Sequence, residues 1–227
     1  DSDGAGNIVS KKIYPKTNAA TVTGTPSETI AYGYSDTWWD QMTSYDGKTV
    51  TYDAVGNPLS YLGKTMTWTK GRLLEKVTDN QTDYTYTYNM DDLRLRKRNN
   101  KTGEVTSYQM TDGVIAAQTT KDSSGKVTNK MVFTYDSSDS IIAMRYNGVQ
   151  YFYRKNGQDD ITGIVDASGK IVVEYSYDSW GKLLDVTGDT VLGNANPFRY
   201  RSYYYDSETG FYYLGGRYYD CLLYTSD

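Results

Sequence analysis

Few residues in this 227-residue chain could act as acids, bases or nucleophiles. Histidine is absent, and Cys221 is the single cysteine. No Ser–His or Cys–His nucleophile pair and no histidine metal ligand can therefore exist, and one cysteine forms neither an internal disulfide nor a thiolate cage. The remaining chemistry depends on carboxylates, so we predict neither a cofactor nor a bound metal.

Two groups of acidic residues could be mistaken for sites. Residues 1–7 have the oxygen-rich composition of a calcium loop but lack the downstream glutamate that such a loop needs, so we expect a turn. Asp159 and Asp160 closely follow Gly157. We expect a turn there too, rather than a carboxylate pair that does chemistry.

Residues 93–98 read Leu-Arg-Leu-Arg-Lys-Arg and could form a basic patch. On a regular strand Arg94, Arg96 and Arg98 would share one face, with the leucines on the other. Acidic residues lie close by in sequence, and the net charge of −4 gives no general attraction to nucleic acid. We therefore expect a solvated sheet face with cross-strand ion pairs, and no nucleic-acid partner.

Strands are the elements that must position these residues. The chain holds 25 Tyr and 4 Trp against 4 Phe, and tyrosine suits a pleated, half-buried surface. Residues 84–88 alternate Tyr with Thr, and residues 130–135 and 171–177 show the same two-residue period, with a large apolar or aromatic side chain at every second position. No stretch shows convincing helical periodicity. The sequence therefore predicts an all-β chain of short antiparallel hairpins.

Tryptophan rings form a further candidate site because they can stack on sugars. Trp38, Trp39, Trp68 and Trp180 are the candidate carbohydrate contacts. Aromatic residues on repeated strands also form the packing surface between those strands. The residues leave both interpretations open.

The hairpins are copies of one unit, in which Tyr-Asp is followed a few residues later by Gly. Its fullest copies lie at residues 52–56, 177–181 and 205–210. Tyr should end a strand on the packed face, Asp should fold its carboxylate back onto the turn amides, and Gly should let the backbone reverse. One unit is too small to bury a core alone, so the units must stack into a continuous sheet.

These units resemble the Rhs/YD-repeat family over nearly the whole chain. Residues 52–61, followed by Trp68 and Gly-Arg at 71–72, are similar to one YD unit. Residues 153–161 and 175–184 are similar to the final repeats before the conserved core of the family.

The match to that core is the most specific. Residues 196–210 read Asn-Pro-Phe-Arg-Tyr-Arg-Ser-Tyr-Tyr-Tyr-Asp-Ser-Glu-Thr-Gly, and Arg-Tyr-Tyr-Asp follows at 217–220. On this resemblance, residues 1–195 are a YD/Rhs repeat array and residues 196–220 are a truncated Rhs repeat-associated core.

The resemblance implies a sheet strip that winds spirally into a hollow shell around a variable C-terminal segment, often a toxin. In the family the core releases that segment by self-cleavage, which depends on an aspartate in an Asp-x-x-Thr-Gly motif and another in a later Asp-Pro motif. Asp206 matches the first, and the second is missing after Asp220. From the residues alone, Asp206 is either half of such a carboxylate pair or an ordinary turn cap.

By the same resemblance we expect a structural segment that encapsulates and delivers a C-terminal effector of the same polypeptide, in a secreted or cell-surface protein. The alternatives are a wall-associated adhesin that binds glycans, and self-cleavage in the intact parent only. This stretch of chain is not expected to be an enzyme. No apolar run approaches the roughly 20 residues of a membrane helix, so a soluble chain with no membrane segment is expected.

Two departures from the family pattern lead to further expectations. Asp92 stands where the repeat usually has Gly, so a looser turn is expected there. The tail at residues 221–227 does not continue with the Pro and Gly-Arg-Phe of the family. The codons TGT-CTC-TTA-TAC-ACA-TCT-GAC would encode this tail and match a transposon end used for sequencing libraries. We therefore expect a non-native adaptor, which sequencing the source DNA past the codon for Asp220 would test.

Overall fold

The computed structural model describes residues 1–4, 6–15, 21 and 24–221, and the backbone of residues 225–226. The chain divides into two compact units, Asp1–Thr67 and Trp68–Asp227. Both units are built mainly from antiparallel strands joined by tight turns. Most of the tail for which an adaptor origin is expected lies outside the described residues.

The first unit begins with four strands that pair in sequence order: β1 (Ser10–Ile13), β2 (Glu28–Tyr34), β3 (Met42–Tyr45) and β4 (Lys48–Thr49). The strands β5 (Thr51–Tyr52), β6 (Pro58–Tyr61) and β7 (Lys64–Thr69) follow, and the boundary between the units falls inside β7. Tyr32 and Tyr45 are buried, and their ring centroids lie 5.2 Å apart in an edge-to-face contact. This pair is tyrosine packing of the kind that the composition predicts.

The second unit contains a ladder of hairpins in which every strand from β8 to β18 pairs with its neighbours in sequence. The strands are β8 (Leu73–Thr78), β9 (Asp83–Tyr88), β10 (Arg94–Asn99), β11 (Val105–Thr111), β12 (Val114–Lys121), β13 (Val127–Tyr135), β14 (Ile141–Tyr146), β15 (Val149–Lys155), β16 (Ile161–Val165), β17 (Ile171–Tyr177) and β18 (Leu183–Gly188). The predicted all-β class, with YD-repeat hairpins in a continuous antiparallel sheet, is confirmed.

The chain after β18 packs on one face of this sheet. It forms α1 (Thr190–Ala195), a 3₁₀ turn (Tyr200–Ser202), β19 (Tyr204–Asp206), β20 (Phe211–Tyr213), β21 (Tyr218–Asp220) and β22 (Thr225–Ser226). Phe198 packs edge-to-face on Phe133 of β13, with ring centroids 4.8 Å apart. We call the face of β8–β18 that residues 196–220 cover the core face, and the opposite one the open face.

The expectation of no helix is wrong for α1. The Asp189 side chain caps this helix by accepting hydrogen bonds from the amides of Val191 and Leu192. Six residues make fewer than two turns, too few for a helical period to show in the sequence.

Two of the three fullest Tyr-Asp units, at residues 52–56 and 177–181, have the predicted geometry, as does the copy at residues 135–136. Their Asp carboxylates accept hydrogen bonds from the backbone amides two and four residues further on. Asp side chains that do not follow a Tyr, and Asn side chains, do the same in four other turns. These caps are Asp53, Asp122, Asp136, Asp166, Asp178, Asn89 and Asn156. The turns expected at residues 1–7 and around residues 159–160 are confirmed, since Asp3 accepts from the amide of Asn7 and Asn156 caps the second turn.

In four units the Tyr side chain bonds to an earlier strand. The hydroxyls of Tyr52, Tyr88, Tyr135 and Tyr177 donate to the carbonyls of Met42, Leu74, Ile115 and Ile161, respectively. Each of these four units therefore satisfies a backbone carbonyl of an earlier strand, which favours stacking of the units.

The turn at Asp92 keeps the geometry of the glycine turns. Asp92 has a φ of 61°, against 91° at Gly56, and Asn89 caps the turn in the usual way. The looser turn expected at Asp92 is therefore wrong, because Asp is one of the few side chains that tolerate the left-handed region. Asp159, with a φ of 68°, plays the same part in the turn that Asn156 caps.

The last YD turn of the repeat array is a docking point for the core. Three tyrosine hydroxyls donate to three successive carbonyls of this turn: Tyr200 to Ser179 at 3.3 Å, Tyr219 to Trp180 at 2.6 Å and Tyr212 to Gly181 at 2.9 Å. Gly181 is required because a Cβ there would lie 2.3 Å from the ring of Tyr200. The turn therefore holds residues 196–220 against the sheet.

Removing the cap of this turn should weaken the fold. Asp178→Ala takes away the acceptor for the amides of Trp180 and Lys182, so we expect unfolding free energy to fall by about 1–2 kcal/mol in urea denaturation. Asp178→Asn is the matched control and should lose less than half as much, because Asn89 and Asn156 cap equivalent turns. Equal losses in both variants would show that the side-chain oxygen is not the stabilising group.

Candidate functional site

The candidate site lies on the core face, where the end of β19 meets β10. The side chains of Arg94 and Asp206 are both fully buried, and Arg94 Nη1 donates to Asp206 Oδ2 over 2.5 Å. Lys97 Nζ lies 3.0 Å from Glu208 Oε2 and 3.4 Å from Asp206 Oδ1. These four residues, which we call the ion cluster, balance two positive charges with two negative ones.

A β-bulge at Leu95 makes this cluster possible. The extra residue brings Arg94 and Lys97 to the core face and leaves Arg96 and Arg98 exposed on the open face. The predicted single face for the three arginines is therefore wrong, because a bulge breaks the strict two-residue alternation of a strand.

Tyrosine rings enclose the guanidinium of Arg94. Its Cζ atom lies 4.2 Å from the ring centroid of Tyr213, 4.9 Å from that of Tyr108, 5.2 Å from that of Tyr204 and 5.5 Å from that of Tyr86. The Nε and Nη2 atoms of Arg94 have no hydrogen-bond partner among the described residues. Stacked ring faces, and not further acceptors, therefore stabilise the rest of the cation.

Hydroxyl groups extend the cluster across the sheet. Tyr86 donates to Glu208 Oε1 at 2.9 Å, and Tyr204 donates to the side chain of Gln118 at 2.8 Å. The backbone amide of Arg94 donates to the Tyr213 hydroxyl at 3.1 Å. Side chains of β9, β10 and β12 are thus bonded to residues 204–213 of the core.

Electrostatics keep both cations of the cluster charged. Burial by itself would lower the pKa of Arg94, but Asp206 raises it well above the usual value. Burial likewise opposes the charge of Lys97, and Glu208 raises the pKa of that ammonium well above its usual value. Burial also raises the pKa of Tyr86, so its hydroxyl stays protonated and remains a donor to Glu208.

The carboxylate of Asp206 does not cap its own turn. The backbone carbonyl of Asp206 accepts from the amides of Thr209 and Gly210, whereas the carboxylate binds Arg94 and Lys97. Of the two interpretations open for Asp206, the turn cap is therefore excluded for its side chain. Its part in self-cleavage stays a prediction.

The four tryptophans occupy different environments. In the first unit, Trp38 and Trp39 are 55% and 69% exposed. In the second unit, Trp180 lies in the turn that docks the core, and Trp68 makes an edge-to-face contact with Tyr218 at 6.0 Å. Trp68 is therefore part of the packing surface, and carbohydrate binding by any of the four stays a prediction.

The structure also bears on metal binding and on membrane insertion. Within the described ranges, no group of three or more His, Cys, Asp or Glu side chains could hold a metal ion. In the same part of the chain, no helix is long and apolar enough to cross a membrane.

A ladder of Tyr-Asp hairpins, with an aromatic core fixed to one face by buried ion pairs, defines a YD-repeat shell protein. The family model described as teneurin YD-shell matches residues 16–225. The chain belongs to this Rhs/YD-repeat shell family.

Relatives from Bacillus align over most of the chain. The tRNA3(Ser)-specific nuclease WapA of Bacillus spizizenii is 34% identical over 182 residues, and the tRNA nuclease WapA of Bacillus subtilis strain 168 is 32% identical over 182 residues. Each alignment covers 80% of this chain but only 8% of the relative. The chain thus corresponds to a small part of those proteins.

Solved structures share the fold. The crystal structure of TcdB2-TccC3-TEV matches with a TM-score of 0.65 and 16% identity, covering 100% of this chain and 14% of that one. The Photorhabdus luminescens Tc holotoxin pore matches with a TM-score of 0.63 and 16% identity, over 86% of this chain and 11% of that one. At this identity the likeness shows the fold alone.

Proposed function

We propose that this chain is a wall-and-core segment of a toxin shell, which encloses and delivers an effector carried further along the same polypeptide. The observation that carries the proposal is the ion cluster, because its four charged side chains bind one another and hold the core to the sheet. Because these buried side chains are already bound to one another, they suit a structural role in holding the shell closed better than a reaction on a diffusing substrate. The relatives named as nucleases support an effector elsewhere in the parent, since this chain corresponds to 8% of them.

A second function, self-cleavage of the parent, is favoured by one contact of Asp206. Lys97 lies between Asp206 and Glu208, so the site already tolerates two neighbouring carboxylates. Two carboxylates brought close together can divide the roles of acid and base. We propose that the second aspartate comes from the chain beyond Asp220, and that the parent protein acts outside the cell or at its surface.

Protease protection in the full-length parent protein tests enclosure. We expect the effector segment to resist digestion under native conditions, to become digestible in Arg94→Met, and to stay resistant in the exposed control Arg98→Met. An effector that is digested at the same rate in the unaltered parent and in Arg94→Met would overturn the proposal.

The same preparations test self-cleavage separately. Asp206→Asn should abolish the cleavage, and the effector should stay better protected than in Arg94→Met, because the amide oxygen can still accept a hydrogen bond from Arg94. Cleavage that persists in Asp206→Asn would exclude a role for Asp206 and leave the enclosure proposal intact.

A further inference from the structure

Strands β10 to β13, all described in the structure, contain no Asp or Glu although the whole chain has a net charge of −4. They carry six cations: Arg94, Arg96, Lys97, Arg98, Lys121 and Lys130. Arg94 and Lys97 face the core and are neutralised in the ion cluster. The other four are exposed, and none forms an ion pair with a described residue.

The strand register arranges these four exposed cations as a stripe across the open face. Arg98 and Lys121 are both cross-strand partners of Val105, and a second row runs from Arg96 through Ser107 and Thr119 to Lys130. The two rows are about 7 Å apart along the strands, since each strand residue rises about 3.4 Å. We call Arg96, Arg98, Lys121 and Lys130 the cationic stripe.

The stripe borders a groove with a volume of about 330 Å³, and Arg96, Arg98 and Lys121 line it together with Asp122 and Ser123 of the next turn. The acidic residue in this groove, Asp122, caps a turn: its carboxylate accepts hydrogen bonds from the amides of Ser124 and Lys126 and does not pair with the cations. The groove therefore presents two guanidinium groups and an ammonium group with no carboxylate paired to them.

We propose that the cationic stripe binds a linear polymer of phosphodiester-linked polyols. Guanidinium groups suit phosphate oxygens because they offer paired donors in a fixed plane, and rows about 7 Å apart can follow successive phosphates of an extended chain. Single-stranded nucleic acids are usually held by aromatic rings that stack on the bases. The open-face positions beside the stripe carry Thr87, Ser107, Thr119 and Val132 instead, which favours a polymer without bases.

Fluorescence anisotropy with a labelled glycerol-phosphate polymer tests this proposal on the 227-residue chain. We expect salt-sensitive binding that weakens by about tenfold or more in the double variant R96Q/R98Q. The slope of log affinity against log salt should also become shallower by about 1.4, because two phosphate contacts are lost. The variant K170Q/K182Q, which removes two exposed lysine charges away from the stripe, is the matched control and should bind as the unaltered chain does.

Two results would overturn the proposal. One is binding that is absent at low salt or equally weakened in R96Q/R98Q and in the control. The other is tighter binding of a single-stranded oligonucleotide with the same number of phosphates, which would make nucleic acid the partner. The circular dichroism spectra and urea midpoints of both variants should match those of the unaltered chain, because all four substituted side chains are exposed.

Discussion

Arg94→Met is expected to lower the free energy of unfolding of the second unit by about 3–5 kcal/mol. The substitution leaves the Asp206 carboxylate fully buried, with Lys97 at 3.4 Å as its remaining charged partner. It also removes the cation that four tyrosine rings enclose, and Met fills only part of that space. Urea denaturation followed by tyrosine fluorescence measures the loss.

Arg98→Met is the control for this variant, because Arg98 lies on the same strand but is exposed on the open face. Its expected effect is within about 0.5 kcal/mol of zero. Similar losses for the two variants would mean that the charge of β10, and not the buried contact of Arg94, is what stabilises the fold.

Alkaline pH is expected to unfold the protein cooperatively between about pH 10 and 12. Burial raises the pKa of Tyr175 to about 12 and holds the pKa values of Tyr86, Tyr153, Tyr204 and Tyr218 well above the usual value. In the unfolded chain these hydroxyls ionise near pH 10, so above that pH the unfolded state has lost protons that the folded state keeps. Stability therefore falls as pH rises, by about 1.4 kcal/mol per pH unit for each such tyrosine.

Tyrosinate absorbance and circular dichroism, recorded on one pH series, measure this transition. Both signals should change together, because the buried hydroxyls ionise only when the sheet opens. Tyrosinate that appears gradually around pH 10 with an unchanged circular dichroism spectrum would show that these tyrosines are accessible in the folded state. Lys97 adds to this loss of stability, because its raised pKa keeps a proton on the folded ammonium that the unfolded chain releases as pH rises.

Local sequence was enough to predict the hairpins, because each YD unit contains its own turn chemistry. Asp53 and Asp178 accept hydrogen bonds from amides two and four residues further on, so five consecutive residues determine the turn. The same kind of turn accepts Asp92 in place of glycine, so a prediction based on glycine alone wrongly expects a looser turn there. The six-residue helix α1 was missed because its cap, Asp189, stands before a segment too short to show a period.

The sequence predicted only one of the two central residues of the candidate site. The core motif pointed to Asp206, but the partner Arg94 lies 112 residues away, and no local pattern links them. A buried carboxylate requires a cation, yet the chain offers 24 Lys and Arg residues among which spacing alone cannot choose. The bulge at Leu95 places Arg94 on the core face, where it can reach Asp206. A bulge depends on how a strand pairs with its neighbour, and the sequence of one strand does not show that pairing.

A double-mutant cycle between Arg94 and Asp206 tests most directly whether the ion cluster fixes the core to the sheet. The unfolding free energies of Arg94→Met, Asp206→Asn and the double variant should show a coupling energy of at least about 1.5 kcal/mol, with the double variant more stable than the sum of the single losses implies. A coupling energy of zero, with the two losses simply adding, would contradict a direct stabilising contact between these side chains and the closure that depends on it.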